Sequence, residues 1–470
     1  MTDAAPQTFW VPTINTPSGP MYRAIADALM DDIKSGRLPE GSCLPPQRAL
    51  AKRLNIDFTT VTRAYAEVRR SGLIEGRVGH GTYVCKGIAP QSHQTTTTPN
   101  IGMIDMSMNS PPLFNNPVLL NRMWDSITEL KQHNGLGLFL RYQEAGGALA
   151  DREAGAIWLR NRLNAPSLDR ILVCPGTQSA LLALFTTMTI AGDTICTESL
   201  TYPGVKSLSA LLRLNPIGVP LDDDGLIPEA FEDICRQFAP KLLCCTPTLQ
   251  NPTTRTWSLS RRQQILEISL RYNVMVIEDD AYGALPTAPP PPLAALAPDQ
   301  VFYIAGLSKP LSPALRISYL ILPPGRAAAR LSGAIRATSA MASPLNAAIA
   351  TRWIEDGTAE AVLTAIREET LVRQKLAAKI LPRELIHADP EGFHIWLDLP
   401  RPWTRSEFSH HLRSAGISVV SSEAFAIAPT PPEAVRLGLG AASDIDVLKR
   451  SLSHIADLLS QTPANMTMVV

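Results

Sequence analysis

Residues 170–185 have the sequence RILVCPGTQSALLALF, in which two hydrophobic patterns follow each other. The run ILVC is short, apolar and rich in branched side chains, which is typical of a buried β-strand. After Gly176 the apolar spacing changes to that of a helix. The first backbone N–H groups of a helix lack internal partners and bind anions such as phosphate. The pattern therefore predicts a strand, a tight turn and a helix, with Gly176, Thr177 and Gln178 forming an anion site.

The same alternation of strand and helix extends over most of the chain. Further strand-like runs are DTIC, IGVP, KLLCC, VMVIED, VFYIAG and YLIL, and amphipathic segments separate them. Such alternation favours an α/β domain with a mainly parallel sheet. The polar stretch GIAPQSHQTTTTPN (residues 87–100) has the composition of a linker. We therefore predict an N-terminal domain at 1–86, a linker at 87–104 and an α/β domain at 105–470.

The composition bounds the class of protein. Of the 470 residues 45% are hydrophobic and the formal net charge is +0, which is typical of a globular protein and excludes a disordered one. The sequence has neither a bilayer-spanning apolar stretch nor a signal peptide at its N-terminus, so we expect no membrane partner and a cytoplasmic location. The seven cysteines lack the spacing of a metal site, so we expect reduced thiols and no bound metal.

The N-terminal segment has the pattern of three helices followed by a hairpin. MYRAIADALMDDIKSG places Ile25, Leu29 and Ile33 on one helix face, and the second and third helices are predicted in LPPQRALAKRLN and DFTTVTRAYAEVRRSG. LIEGRVGHGTYV then predicts a hairpin with a glycine-rich tip. This layout is that of a winged helix-turn-helix.

The third predicted helix begins with hydroxyl side chains that are small enough to approach bases and phosphates. Basic residues outnumber acidic ones around it, and the glycines of the hairpin let its tip approach a minor groove. The residues concerned are Thr59, Thr60 and Thr62, the basic Arg48, Lys52, Arg53, Arg63, Arg69, Arg70 and Arg77, and Gly76, Gly79 and Gly81. Each single basic residue has the alternative of being a solvated surface charge.

Residues 44–84, LPPQRALAKRLNIDFTTVTRAYAEVRRSGLIEGRVGHGTYV, closely resemble the DNA-binding domain of GntR-type bacterial regulators. The resemblance implies that Arg48 and the start of the third helix contact DNA, with Gly79 near the contact made by the wing. Asp57 and Phe58 stand where some relatives carry polar or basic contacts.

Lys309 lies in GLSKPLSPALRISY (residues 306–319), directly after the buried run VFYI. A lysine amine in a desolvated loop with few charges stays partly unprotonated and can form a Schiff base with an aldehyde. The natural aldehyde is pyridoxal 5'-phosphate (PLP), which also needs an acidic partner for its ring nitrogen, a phosphate site and a platform for its ring. A lone lysine after a strand is more often structural, so its companions carry the argument.

Polar side chains follow other predicted strands. Ligands of α/β sheets bind at the carboxyl ends of strands. Asp279 ends VMVIED and would hold the proton of the ring nitrogen, while Tyr282 and Asn251 would reach the ring oxygen. Tyr202 would stack on the ring, and Ser308 and Arg316 would complete the phosphate site. Each has a structural alternative, such as a turn for Asn251, a loop cap for Asp279 or core packing for the aromatic residues.

The motifs YQEAGG, GTQSA, TYPG, NPT, DDAY, SKPLSPALR and VRLGLG resemble those of class I/II aminotransferases of fold-type I. The resemblance implies that fold with a small C-terminal α+β subdomain, and a Schiff base between Lys309 and PLP. It also implies that Tyr142 reaches the phosphate of a partner subunit and that Arg436 binds the carboxylate of a substrate or effector. Gly306 stands where many relatives place a phosphate-binding serine, and Thr254 where glycine is usual.

A GntR-type winged helix joined to an aminotransferase-like domain is similar to the organisation of MocR-type regulators. The resemblance implies a head-to-tail homodimer that binds a double-stranded DNA operator, with PLP or an amine or amino-acid ligand changing how it engages DNA. We therefore expect a PLP-dependent transcription regulator without physiological turnover, with weak aminotransferase activity left open. Two alternatives remain open: a working aminotransferase with an accessory DNA-binding domain, because its catalytic set is complete, and a sensor of PLP alone with Arg436 idle.

Overall fold

The computed structural model describes residues 10–13, 20–39, 41–70, 73–77, 81–84, 104–133, 135–164, 166–325, 328–427 and 430–461. The chain divides into two compact units, Met1–Pro99 and Asn100–Val470. Residues 87–103 of the predicted linker lie outside the described residues, and residue 104 begins a short strand. The predicted domain boundaries therefore stay predictions. Among the described residues, no helix combines the length and the apolar character needed to cross a bilayer.

The first unit is a winged helix-turn-helix, as predicted. Its helices are α1 (Met21–Lys34), α2 (Gln47–Leu54) and α3 (Phe58–Arg70), and its strands are β1 (Cys43–Leu44), β2 (Ile74–Arg77) and β3 (Gly81–Val84). The strands form an antiparallel sheet in the order β1-β3-β2, in which β2 and β3 are the predicted hairpin.

A single small core holds the first unit together. Ile25 and Leu29 of α1 pack with Val61, Tyr65 and Val68 of α3, and all five are almost completely buried. The Tyr65 hydroxyl donates a hydrogen bond of 3.0 Å to the carbonyl oxygen of Pro45, which satisfies the one polar atom that this ring brings into the core. The apolar spacing thus fixes which face of α3 is buried and which is exposed.

The second unit is built around a seven-stranded sheet. The strand order is β5-β13-β12-β11-β10-β6-β7, and only β13 runs antiparallel to its neighbours. The strands are β5 (Ile171–Cys174), β6 (Thr194–Glu198), β7 (Asn215–Val219), β10 (Leu242–Cys245), β11 (Met275–Asp279), β12 (Val301–Gly306) and β13 (Ser318–Ile321). All the predicted strand-like runs contribute to this sheet, which confirms the predicted α/β class.

Helices enclose the sheet because its central strands are apolar on both faces. They are α4 (Pro117–His133), α5 (Gly137–Leu140), α6 (Leu149–Leu159), α7 (Thr177–Met188), α8 (Pro203–Leu211), α9 (Pro228–Phe238), α10 (Leu259–Arg271), α11 (Leu293–Leu296), α12 (Ala328–Ser339), α13 (Pro344–Glu355) and α14 (Thr358–Ile380). A two-stranded ribbon, β8 (Leu221–Asp222) and β9 (Gly225–Leu226), lies between β7 and α9 in the chain. The carboxyl ends of β5, β6, β10, β11 and β12 meet at one edge of the sheet.

The C-terminal part forms the expected small α+β subdomain with its own core. Its antiparallel sheet has the order β14-β15-β18-β17, with β14 (Ile386–Ala388), β15 (His394–Asp398), β17 (Val420–Ser421) and β18 (Ala434–Gly438). A second pair joins β4 (Ile104–Asp105) to β16 (Ile417–Ser418), and helices α15 (Arg405–Ser414) and α16 (Ile445–Leu459) complete the subdomain. The pairing of β4 with β16 brings the start of this unit next to its C-terminal part.

Candidate functional site: a lysine-centred cavity and an exposed helix face

A cavity of about 560 Å³ lies at the edge of the sheet where the strands end. Its lining includes nine predicted site residues, namely Thr177, Gln178, Tyr202, Asn251, Asp279, Tyr282, Ser308, Lys309 and Arg316, and it also includes Arg436 of the small subdomain. The fold therefore brings together side chains that are separated by up to 259 positions in the sequence, from 177 to 436. Tyr142 is 89% exposed and does not line this cavity.

Lys309 follows β12 in a turn, and its Nζ donates a hydrogen bond to the backbone carbonyl of Asn109. Burial, together with the positive charges of Arg436 and Arg316, lowers the pKa of Lys309 to about 8, although Asp279 opposes this shift. Roughly a tenth of the amine is therefore unprotonated at pH 7, far more than for an exposed lysine, and this is the form that attacks an aldehyde.

Asp279 ends β11 and presents a buried carboxylate to the cavity. Its Oδ1 has no hydrogen-bond partner among the described residues. Burial, with the adjacent charge of Asp280, raises the pKa of Asp279 to about 7. Asp280 itself forms a salt bridge of 2.8 Å with Arg162. The Ala281 N–H donates to this carboxyl group, but a buried oxygen left without a donor is costly, and a protonated ring nitrogen would satisfy it, so this residue fits PLP.

Two further groups reach the region that Asp279 faces. The Tyr282 hydroxyl accepts a hydrogen bond of 2.8 Å from Asn109 Nδ2, and burial raises the pKa of this tyrosine. Asn251 Oδ1 accepts a hydrogen bond of 2.9 Å from Arg436 Nη1. Since Asn251 is oriented by this bond, its amide nitrogen is the group left for a ligand oxygen. Tyr202 is half-buried at the start of α8 and lines the same cavity.

The predicted anion site differs in detail from the sequence-based expectation. Gly176 precedes α7 with a positive φ of 81°, and its N–H donates to the carbonyl of Cys174 at 2.7 Å. The Gly176 N–H is therefore engaged within the turn, and the N–H groups free to bind an anion begin at Thr177 and Gln178. The Arg316 guanidinium lies 3.4 Å from the position that a Cβ of Gly176 would occupy. Arg316 also has a positive φ of 50°, an uncommon conformation for a residue with a side chain.

The two departures from the aminotransferase pattern have different structural accounts. A Cβ on Gly306 would lie 2.6 Å from Thr177 Oγ1, so a hydroxyl from α7 occupies the space beside position 306. Thr254 has a φ of 66°, the left-handed region that glycine adopts without strain. Its N–H donates to the carbonyl of Gln250 at 2.7 Å, so the turn is retained with a less favourable residue.

Arg436 lies in β18 and is only 6% exposed. Its Nη1 donates to Asn251 and its Nη2 to the carbonyl of Ser107, while its buried Nε has no partner among the described residues. The guanidinium carbon lies 5.1 Å from the ring centroid of Phe425. Burial lowers the pKa of Arg436, and the opposing influence of Tyr282, Asp105 and Tyr202 is smaller. This arginine fits a carboxylate ligand.

Sequence reasoning missed the segment that follows β4. Ser107, Met108 and Asn109 line the cavity, and Asn109 contacts both Lys309 and Tyr282. It also missed His394, which is fully buried with its ring 5.4 Å from that of Tyr282 and its Nε2 3.1 Å from the carbonyl of Gln250. A histidine in an otherwise apolar strand, HIWLD, is the one signal that the sequence offered.

The first unit presents the start of α3 at its surface. Asp57 Oδ1 accepts hydrogen bonds from both the N–H and the hydroxyl of Thr59, and these lower the pKa of Asp57. The Thr62 hydroxyl lies 3.0 Å from Phe58 O and 3.0 Å from Gln47 Oε1. Two of the three predicted hydroxyl contacts are therefore already engaged within the protein.

The remaining predicted DNA contacts are distributed between α2, α3 and the hairpin. Arg48 and Arg63 are exposed, and Thr60 is half-buried. Arg77 ends β2, but its side chain lies outside what the structure describes, and so does Gly79. The DNA-facing role of the hairpin therefore stays a prediction.

Two family models match the chain. Residues 21–84 match "Bacterial regulatory proteins, gntR family" and residues 101–455 match "Aminotransferase class I and II". The chain is 30% identical to the uncharacterized HTH-type transcriptional regulator YdeF of Bacillus subtilis, over 96% of each chain. It is 26% identical to the vitamin B6 salvage pathway transcriptional repressor PtsJ of Salmonella typhimurium, over 91% of this chain and 96% of that one.

Solved structures match the second unit. An archaeal alanine:glyoxylate aminotransferase has a TM-score of 0.69 at 24% identity and covers 76% of this chain and 91% of its own. A kynurenine aminotransferase of Pyrococcus horikoshii, solved with PMP, matches with the same score, identity and coverage. The chain therefore belongs to the transcriptional regulators that join a gntR-family DNA-binding domain to an aminotransferase class I and II domain, the organisation of the MocR type. The aminotransferase class I and II fold family is PLP-dependent.

Proposed function

We propose that this regulator binds a double-stranded DNA operator in the bacterial cytoplasm and holds PLP at Lys309, and that PLP or an amine or amino-acid ligand changes its engagement with DNA. The observation that carries the proposal is the cavity at the strand ends. It combines a lysine whose pKa is about 8 with a buried carboxylate, one oxygen of which has no hydrogen-bond partner among the described residues. A lysine with a purely structural role would not require a buried, partly unsatisfied carboxylate in the same cavity.

Each lining residue has a role in this proposal. When bound, PLP supplies an aldehyde that captures amines and a ring that absorbs visible light. Lys309 would hold the aldehyde carbon, and Asp279 would hold the proton on the ring nitrogen. Tyr282 and Asn251 would bind the ring oxygen, and Tyr202 would stack on the ring. The phosphate would bind the α7 N-terminus together with Ser308 and Arg316.

The charges of the cavity favour an anionic ligand. Lys309, Arg316 and Arg436 are basic, and Asp279 is the one acidic residue among the described lining residues. This excess favours the binding of a phosphate group and of a carboxylate. Arg436, which is already oriented by Asn251 and Ser107, would bind the carboxylate of an amino-acid effector.

We also propose the head-to-tail homodimer. Tyr142 is 89% exposed, and the nearby Leu136, Phe139 and Leu140 are 75%, 65% and 70% exposed. Exposed apolar side chains that are adjacent in this way are typical of an interface. In this arrangement Tyr142 would reach the phosphate site of the partner subunit.

Borohydride reduction tests the role of Lys309. Borohydride fixes PLP to the amine that holds it, and mass spectrometry of peptides locates the label. We expect Lys309→Ala to lose both the label and the visible absorption, whereas Lys375→Ala, at an exposed lysine of α14, keeps both. A label that persists at wild-type stoichiometry in Lys309→Ala would refute the assignment.

A panel of amines and amino acids then separates the modes of response. An effector should change both the visible absorption and the affinity for operator DNA, and Arg436→Leu should abolish the response to amino acids but not to amines without a carboxylate. DNA affinity that responds to PLP but to no amine would favour a sensor of PLP alone. Release of keto acid over many turnovers would favour the aminotransferase alternative.

A further inference from the structure

Phe58 is the first residue of α3, and 41% of its surface is exposed. It lies at the N-terminal end of the helix face that carries Val61, Tyr65 and Val68, but it is not part of the buried core that they form. The Arg48 guanidinium carbon lies 5.7 Å from the centroid of its ring. An aromatic ring is therefore partly exposed at the start of α3, beside a basic side chain.

The polar side chains around Phe58 leave few free groups to contact base edges. The hydroxyl of Thr59 is engaged by Asp57, and the hydroxyl of Thr62 lies within hydrogen-bond distance of Gln47 and the Phe58 carbonyl. The acid Asp57 is itself held by Thr59. Among the described side chains at the start of this helix, the ring of Phe58 is thus the largest exposed group that is not held by a hydrogen bond.

The surroundings of the ring are suited to nucleic acid. Arg48, Lys52, Arg53 and Arg63 are all exposed on α2 and α3, and they would contact phosphates on either side. In a helix-turn-helix the N-terminal residues of the second helix contact base edges in the major groove. Thymine is the base whose edge there carries an apolar group, its C5 methyl, and phenylalanine is one of the side chains that contact it.

We infer that Phe58 reads a thymine methyl group in each half-site of the operator. This inference rests on the proposed binding of double-stranded DNA and adds the base that the first turn of α3 selects. Arg48 would hold the ring by its cation–π contact while its charge faces the phosphate backbone. The specificity at this position is therefore apolar and not carried by a hydrogen bond.

The test uses the full-length, PLP-loaded protein and a random duplex DNA library. Selection first yields the preferred site, in which we expect a thymine at one position of each half-site. Each thymine is then replaced by uracil, which pairs identically but lacks the methyl group. Removal of one methyl group should weaken wild-type binding by about fourfold per half-site. The same uracil should have no effect on Phe58→Ala, and a smaller effect on Phe58→Leu.

Arg63→Ala is the matched control, because it should bind all sequences more weakly yet keep the uracil penalty. Two results would overturn the inference while leaving DNA binding intact: no uracil substitution weakens the wild-type protein, or the penalty persists in Phe58→Ala. Failure of the wild-type protein to enrich any sequence would overturn the proposed DNA binding, and this inference with it. The uracil measurement on the wild-type protein requires no variant, so impaired folding of Phe58→Ala cannot obscure it.

Discussion

The two units of this regulator present their ligand-facing residues in opposite ways. In the first unit Arg48, Phe58 and Arg63 are exposed on helices α2 and α3, which pack on a small core. In the second unit Asp279 and Arg436 are each 6% exposed, and Lys309 lies in a cavity beside them. A duplex is larger than the domain that reads it and lies against a surface, whereas a cofactor must be enclosed. Enclosure changes the pKa values of the residues that surround a ligand.

The largest effect should come from the core of the first unit. Tyr65→Ala removes a fully buried ring, at a cost of roughly 3–5 kcal/mol, from a domain too small to tolerate that loss. We expect loss of DNA binding with unchanged visible absorption of bound PLP. Tyr65→Phe, which loses only the hydrogen bond to Pro45, should cost about 1 kcal/mol and keep DNA binding. Loss of PLP in Tyr65→Ala would show that the units do not fold independently.

A smaller effect should come from Asp279 in the cofactor-free protein. Its pKa is about 7 when folded and near 3.8 when unfolded, so the folded state binds more protons between these values. Its contribution to stability is therefore present at low pH and is lost as pH rises towards 7. Between pH 5 and pH 8, the free energy of unfolding measured in urea should therefore fall by about 2 kcal/mol on account of Asp279.

Asp279→Asn should remove that dependence and bind PLP more weakly. The variant would thus be more stable than the wild-type protein at pH 8 and less functional, which is typical of residues kept for a ligand. An unchanged pH dependence in the variant would mean that Asp279 is not the group that titrates.

Next in size is the pH dependence of PLP attachment. Because the pKa of Lys309 is about 8, the attachment rate should rise about tenfold per pH unit below 8 and level off above it. Stopped-flow absorbance measures this profile directly. Arg436→Leu removes a positive charge that lowers this pKa, so its profile should move to higher pH. A wild-type midpoint above pH 10 would contradict the burial of this amine.

The smallest effect should come from single exposed arginines of the first unit. Arg63→Ala should weaken DNA binding by less than tenfold and nearly equally for all sequences. The slope of log affinity against log salt should fall by about one for each phosphate that the variant no longer neutralises. If Arg63→Ala changed the selected sequence, this arginine would be a base contact, and the contrast with Phe58 would need revision.

The sequence predicted residues that follow strands better than residues that do not. Asp279 and Lys309 follow clear apolar strands, and parallel strands bring their carboxyl ends together regardless of loop length. Asn109 lies in a segment without periodicity, and it reaches Lys309 only because β4 pairs with β16, more than three hundred positions away. No local pattern encodes that pairing.

Exposed contacts were harder to predict for a different reason. Thr59 is of a residue type that contacts DNA, but its hydroxyl donates a hydrogen bond to the carboxylate of Asp57, two positions before it. The residue type indicates what a side chain can bind, and its neighbours decide whether it is free to do so. The sequence indicated that Phe58 departs from the contact residues of some relatives, but the exposure of its ring depends on the packing of the folded unit.

The close approach of Thr177 to position 306 has a consequence for which residues the two positions can carry. A side chain at 306 and the present orientation of the Thr177 hydroxyl exclude each other, since a Cβ there would lie 2.6 Å from that oxygen. A serine at 306 therefore requires the Thr177 hydroxyl to rotate away, or a smaller residue to stand at position 177. The two positions are thus coupled across the sheet edge, and a change at the end of strand β12 alters which side-chain orientations the first turn of helix α7 can adopt.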